Sequence, residues 1–154
     1  VHMIKKLFGM FLCFFLVFSI TGCQLINRIP IEIDANQFTT AMENYDFKVY
    51  DNTKTLNSDF VTKNLIAIKN EKQIEFYQFK NEDDCKKSYE STRNKIASNQ
   101  QLVSETQNKN CIKTVVTTQK KYYTVVKIGK VMVYCTSNID VKDDIDAIVA
   151  NFNF

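Results

Sequence analysis

The stretch "NLIAIKNEKQIEFYQF", residues 64–79, contains the clearest strand signal in the chain. It contains two short runs of mainly apolar residues, NLIAIK and QIEFYQF, joined by Asn70, Glu71 and Lys72. Runs of this length that are rich in branched and aromatic residues are typical of β-strands. A connection of three residues is too short for a crossover, so the two strands must be antiparallel neighbours. The stretch therefore predicts a β-hairpin.

Helical segments lie on both sides of this hairpin and at the end of the chain. In DANQFTTAMENY (34–45), Asp34 is the predicted N-cap and Gln37 stands three residues later, where a capping box needs it. NEDDCKKSYESTRNKIA (81–97) has Asn81 as its N-cap and three acidic residues in its first turn. DVKDDIDAIVANF (140–152) repeats apolar residues at helical spacing. Helices with a single apolar face need a sheet against which that face can pack.

Four further apolar runs predict the remaining strands, and a polar segment over residues 98–110 is predicted to be a loop. Gly129 stands in the tight turn between the last two strands. We expect an α+β fold in the order α-βββ-α-βββ-α, with a largely antiparallel sheet of five or six strands and helices packed on one face. The local similarity of the two ββα segments leaves two readings open, a pseudo-duplication and convergent architecture. The four runs are FKVYD (47–51), CIKTVVTT (111–118), YYTVVKI (122–128) and VMVYCT (131–136).

The N-terminal region has the parts of a signal peptide. Lys5 and Lys6 precede fourteen uncharged residues, 7–20, which as a helix would measure roughly 21 Å. This is short for a hydrocarbon core of about 30 Å. A basic start, a short apolar core and small residues at its end are typical of a cleaved signal. An uncleaved membrane helix and a plain secretory signal remain alternatives, although Ile20 fits the ordinary cleavage site poorly.

Ile20, Thr21, Gly22 and Cys23 resemble the lipobox of bacterial lipoproteins. The resemblance implies that Cys23 carries a diacylglyceryl group and becomes the first residue of the mature chain. Residues 1–22 would then be the signal peptide, 23–33 a lipidated cysteine with a short tether, and 34–154 a single domain. The implied location is the extracytoplasmic face of a cell membrane, and Gram-positive and Gram-negative envelopes both remain open.

Two longer stretches strengthen this resemblance. DANQFTTAMENYDFKVYD (34–51), followed by QIEFYQFKNEDDCKKSYES (73–91), resembles small lipoproteins of Gram-positive bacteria with low-GC genomes. That group brings no known activity with it. The resemblance therefore bears on location, and not on what the domain does.

The charge balance argues against nucleic acid as a partner. The chain has 20 basic and 17 acidic residues and a formal charge of +3, which falls to about +1 once Lys5 and Lys6 leave with the signal. A nearly balanced domain has no strong electrostatic footprint for nucleic acid. The predicted partners are the membrane, through the lipid anchor, and an envelope protein or wall component.

No catalytic, metal or cofactor site is predicted. The chain's single histidine, His2, lies in the signal, and Gly129 is the one glycine that would remain in the mature chain, so activated nucleophiles and glycine-rich phosphate loops lack their residues. The acidic clusters 82–84 and 140–146 lack the spacing of a calcium loop and suit helix N-termini.

The cysteines of the domain are predicted to be buried thiols that act as small hydrophobes. A single disulfide is the main alternative, and reactive or metal-binding thiols are another. With Gly129 at the turn, Cys135 is expected opposite Tyr123 and Cys111 near Lys127, which separates these two cysteines too far for a bond. The three cysteines are Cys85, Cys111 and Cys135.

Aromatic residues alternate along the predicted strands and place Tyr77, Phe79 and Tyr123 where they could form a binding surface. The alternative is that these aromatics simply favour strands. The first functional hypothesis is a non-catalytic binding or adaptor lipoprotein. The second is an envelope inhibitor or immunity-type protein, for which a protruding 98–110 loop would be the clue. The third is an envelope enzyme that uses paired carboxylates.

Overall fold

The computed structural model describes residues 29–98, 102–152 and 154. The predicted signal peptide, with Ile20, Thr21 and Gly22, and the lipid attachment site Cys23 lie outside these residues and stay predictions. Within the described part of the chain, no helix combines the length and the apolar character needed to cross a membrane.

The described residues form one antiparallel sheet with four α-helices. The strand order is β1-β2-β3-β7-β6-β5-β4. A 3₁₀ turn, Ile139–Val141, leads into the last helix. The helices are α1 (Ala35–Asn44), α2 (Thr53–Leu56), α3 (Glu82–Ala97) and α4 (Lys142–Asn151). The strands are β1 (Lys48–Asp51), β2 (Val61–Lys69), β3 (Lys72–Phe79), β4 (Leu102–Asn108), β5 (Cys111–Thr117), β6 (Lys121–Ile128) and β7 (Val131–Asn138).

The α+β class and the antiparallel sheet are confirmed, but the sheet has seven strands and not five or six. The additional strand, β4, lies in the segment 98–110 that was predicted to be a loop. It pairs with β5 at the edge of the sheet, and residues 103–108 are all exposed. Because the described side chains of this edge strand are exposed, residues 103–108 need no apolar alternation and carry no strand pattern.

The prediction that the helices pack on one face of the sheet is wrong. Phe38 and Met42 of α1 share a core with Ile145 and Val149 of α4, whereas α3 packs on the opposite face. We call these the α1/α4 face and the α3 face. The central strands need helices packed on both faces of the sheet, because in β7 the consecutive residues 131–133 are all buried and alternate between the two faces.

The two halves of the chain are not related by a two-fold axis. The hairpin β2–β3 is followed by a helix on one face, and the hairpin β6–β7 by a helix on the other. A two-fold axis between the antiparallel neighbours β3 and β7, perpendicular to the sheet, would keep both helices on the same face. The two ββα segments therefore share an element order without a symmetric placement of their helices.

The predicted helix starts are confirmed for α1 and α3. The Asp34 side chain accepts a hydrogen bond of 2.8 Å from the backbone N–H of Gln37, whose side chain accepts one of 2.9 Å from the N–H of Asp34. Asn81 caps α3 by accepting from the N–H of Asp84 at 2.9 Å. Each cap satisfies backbone donors that have no partner inside the helix.

A buried asparagine joins β2 to the segment that precedes it. Asn64 is 1% exposed, and its side-chain N–H donates to the carbonyl of Phe76 at 3.1 Å. Its side-chain oxygen accepts a hydrogen bond of 2.8 Å from the Asn52 amide. The hydroxyl of Thr53 accepts from the Asn64 backbone N–H at 2.9 Å. These bonds hold the start of α2 against the α3 face.

We expect Asn64→Ala to lower the free energy of unfolding by about 1–3 kcal/mol, because the Asn52 amide and the Phe76 carbonyl lose their buried partner. Chemical denaturation provides the measurement. Thr62→Ala is the matched control: it removes an exposed hydroxyl from the same strand and should change stability by about 0.5 kcal/mol or less. Equal losses in the two variants would contradict this account of Asn64.

The edge strand β4 is held to α3 through a carboxylate. Glu105 accepts hydrogen bonds from the Thr114 hydroxyl at 2.9 Å and from Arg93 Nε at 3.2 Å. The Tyr89 hydroxyl bonds that of Thr114 at 2.6 Å. The hydrogen bond from Thr114, reinforced by Arg93, lowers the pKa of Glu105. The ionised carboxylate is therefore the form that ties the strand to the helix.

We expect Glu105→Gln to lower the denaturation midpoint at pH 7 and to have a smaller effect at pH 3. A carboxyl with a lowered folded-state pKa stabilises the fold above its unfolded pKa of about 4.5, and this contribution is lost as the pH falls through the folded value. Glu90→Gln, on an exposed position of α3, is the control and should behave like the wild type at both pH values. A midpoint difference for Glu105→Gln that does not change with pH would refute the carboxylate's role.

Candidate functional site

A groove of about 550 Å³ crosses the α3 face between α3 and the segment that joins α2 to β2. It forms because α3 packs against β3, β5, β6 and β7 and leaves the β2 side of this face uncovered. The lining residues are Leu56, Ser58, Phe60, Val61, Tyr77, Phe79, Asp84, Lys87, Ser88, Ser91, Thr92 and Met132.

The floor of the groove is aromatic. Tyr77 and Phe79 stand two residues apart in β3 and therefore point to the same face of the sheet. Their rings are stacked with centroids 6.3 Å apart. Phe79 is 3% exposed, whereas Tyr77 is half-buried and presents its ring to the groove. Met132, which pairs with Tyr77 across the strands, extends the floor into β7.

One wall of the groove is a polar stripe of α3. Asp84, Lys87, Ser88, Ser91 and Thr92 recur at intervals of three and four residues, so they share one side of the helix. The neighbouring stripe of α3 is buried against the sheet and includes the following three residues: Cys85, Tyr89 and Ile96. The wall therefore combines charges of both signs with hydroxyl groups, while the floor is apolar.

The Tyr77 hydroxyl is held by the sheet. It donates a hydrogen bond to the Glu75 carboxylate, which also accepts one of 2.6 Å from the Gln73 side chain. Burial, together with this bond to Glu75, raises the pKa of Tyr77 well above its ordinary value. Tyr77 is thus a neutral phenol in a fixed orientation, which suits contact and hydrogen bonding and does not suit proton transfer near neutral pH.

A second depression of about 310 Å³ lies farther along α3. Its lining includes Tyr123 and Tyr134 from the sheet and Thr92, Lys95 and Ile96 from the helix. Burial raises the pKa of Tyr134 to about 12. Because Thr92 also lines the groove, the two depressions are neighbours on the α3 face.

The structure places the three aromatics predicted as a binding surface on one face of the sheet. Tyr77 and Phe79 lie together in the groove, whereas Tyr123 lies in the second depression. The sequence analysis missed the polar stripe of α3 and the rim residues Leu56 and Phe60. Their roles depend on which face of the sheet α3 covers, which the pattern of α3 alone does not specify.

The three thiols of the domain are shielded from solvent. Cys85, Cys111 and Cys135 are free and buried, which confirms the predicted burial. Burial raises the pKa of Cys85 and of Cys135 to about 12, so little thiolate forms at neutral pH. Cys135 pairs with Thr124 and Cys111 with Ile128. Both partners are one residue from the predicted register. For Cys135 the reason is that the β6–β7 turn consists of Gly129 and Lys130, so the turn is not centred on Gly129 alone.

Three carboxyl groups of the described residues are held by hydrogen-bond donors. No three side chains of metal-ligating type converge in this part of the chain. The carboxyl groups with perturbed pKa values are all shifted downwards by donors: Asp51 by Lys63 and Thr53, Glu82 by Lys127, and Glu105 by Thr114 and Arg93. Glu82 and Lys127 form an ion pair that joins the start of α3 to β6.

The prediction of a loop over residues 98–110 is wrong for residues 102–108, which form β4 within the sheet. These residues therefore do not supply the protruding loop that would have favoured an inhibitor or immunity-type protein. Comparison of the chain with protein-family models, with curated proteins and with solved structures finds no match.

Proposed function

We propose that this chain is a lipoprotein, anchored to the extracytoplasmic face of a membrane through Cys23, whose domain is a non-catalytic binding module. The groove on the α3 face is its binding site, and an extended polypeptide segment of an envelope partner is the proposed ligand. The observation that carries the binding part of the proposal is the groove itself, with its aromatic floor and polar helical wall.

The composition of the groove favours a polypeptide. Its apolar floor suits side chains such as leucine or phenylalanine, and aromatic residues of this kind are enriched where proteins contact one another. The hydroxyl groups of Ser88, Ser91 and Thr92 supply both donors and acceptors for a backbone. Asp84 and Lys87 offer one charge of each sign, which gives no preference for a strongly anionic or cationic ligand.

Catalysis by paired carboxylates receives no support from the groove. Of the acidic side chains that the structure describes, Asp84 alone lines it. A glycosidase-type mechanism needs two carboxyl groups on opposite sides of the scissile bond, one of them with a raised pKa. The binding module is therefore the better reading of this site.

The anchor is tested by Cys23→Ser. We expect this variant to appear in the medium or to keep its signal, and to lose the N-terminal lipid that intact-mass spectrometry detects in the native chain. Cys13→Ser is the matched control, since it changes another cysteine of the leader and should leave both membrane attachment and the lipid unchanged. A native protein that begins at its first methionine and carries no lipid would refute the anchor.

The groove is tested with a photo-cross-linking residue at position 91 or 90 in intact cells. Ser91 lines the groove, whereas Glu90 is an exposed neighbour on α3 outside it. We expect a residue at position 91 to give one dominant protein adduct and a residue at 90 to give none. Tyr77→Ala should reduce the adduct by removing the ring from the floor. Identical adducts from both positions, or an adduct that Tyr77→Ala does not change, would contradict the proposed site.

A further inference from the structure

Exposed apolar side chains are concentrated at one end of the sheet. Seven large apolar side chains are exposed among the described residues, and four of them lie at the end that carries the Gly129–Lys130 turn. We call this the turn end. The four residues are Ile29 (63% exposed), Ile31 (65%), Leu56 (38%) and Phe60 (54%).

Backbone hydrogen bonds place the start of β2 at the turn end. The N–H of Phe79 donates to the carbonyl of Lys130 at 2.9 Å, and the N–H of Lys80 donates to the carbonyl of Phe60 at the same distance. Phe60 is therefore hydrogen-bonded to the residue that follows β3, and the last residue of β3 is hydrogen-bonded to the turn. Leu56 lines the same groove as Phe60 and stands beside it at the rim.

The N-terminal segment reaches the domain at this end. The Glu32 carboxylate accepts a hydrogen bond of 2.9 Å from the backbone N–H of Lys130. Gly129 has a φ of +52°, and a Cβ at this position would overlap the Glu32 carboxylate, so glycine suits both the turn and the contact. Eight residues separate Cys23 from Glu32, and the extended chain between these two residues spans about 30 Å at most.

We propose that the turn end docks on the membrane surface, with Ile31, Leu56 and Phe60 inserted at the boundary between the lipid headgroups and the acyl chains. The occupant of this apolar surface is thus the lipid bilayer itself. The inference rests on the proposed anchor at Cys23, because the connection from that residue joins the domain at the turn end and so holds this end near the acyl chains.

The contact is apolar in character. Lys80 and Lys130 are exposed at the turn end, but exposed Asp59 and Asp83 lie on the adjoining segments and offset them. A balanced surface gains little from anionic lipids, whereas burial of apolar side chains is favourable on any bilayer. Docking is therefore expected on neutral phosphatidylcholine as well as on anionic membranes, with little dependence on salt.

The chain contains no tryptophan, so a single substitution provides a unique fluorescent probe. Phe60→Trp places the probe at the turn end, and Ile68→Trp is the matched control. Ile68 is also exposed (41%) and lies near the other end of β2, about 26 Å away. Both full-length chains are purified from membranes and reconstituted in phosphatidylcholine vesicles with acyl chains brominated near the headgroup.

We expect the emission of Phe60→Trp to shift to the blue and to be quenched by the brominated lipid, while the emission of Ile68→Trp keeps the wavelength and intensity it has in unbrominated vesicles. Quenching of neither probe, or equal quenching of both, would overturn the proposed docking. Intact-mass spectrometry of the same samples separates the two proposals: a lipidated chain without quenching refutes the docking and leaves the anchor, and an unlipidated chain refutes the anchor.

Discussion

The pairing of β3 with β7 joins the two parts of the sheet and sets the register of both faces. Among the described strands, every other pairing joins strands that are consecutive in the chain, whereas this one brings residues 73–78 against 131–136. It fuses a three-stranded and a four-stranded meander into one sheet. It also aligns Phe76 with Val133 on the α1/α4 face and Tyr77 with Met132 on the α3 face. The core under α1 and the floor of the groove thus arise from the same register.

The unequal covering of the two faces explains where the groove lies. On the α1/α4 face, α1 packs against β1, β2 and β3 and α4 packs against β7, so the central strands are covered. Phe38 of α1 is completely buried there, with its ring 5.2 Å from that of Phe76 and 6.1 Å from that of Phe152. The α3 face has one long helix, and the uncovered area beside it is bounded by the short α2, which Asn64 holds in place. The groove lies beside α3 because a single long helix does not cover the full width of this face of the sheet.

Local signals in the sequence predicted local structure well. The hairpin 64–79, the capping box of Asp34 and Gln37, and the Asn81 cap each depend on residues within a few positions, and the structure contains all three. Features that depend on distant partners were missed. Strand β4 exists because β5 offers it hydrogen bonds, and the side of the sheet that α3 covers depends on how both meanders assemble. The aromatic floor could be predicted from the sequence because Tyr77 and Phe79 alternate in a strand. The helical wall could not be predicted, because it depends on which side of the sheet α3 covers.

The contact between Glu32 and the Gly129–Lys130 turn links the proposed anchor to the proposed site. Glu32 is joined to Cys23 by a short segment and contacts the turn at Lys130. At the same turn Lys130 is hydrogen-bonded to Phe79, and Phe60 is hydrogen-bonded to Lys80, the residue after Phe79. Phe60 forms the rim of the groove, and Tyr77 lies on the floor behind it. If the acyl chains hold the turn end at the bilayer, the groove must open close to the membrane surface and not toward the distant medium. A polypeptide that is itself anchored in the membrane would then meet the groove at a far higher local concentration than a free one, because both are confined to the same thin layer. The geometry therefore favours a membrane-attached partner.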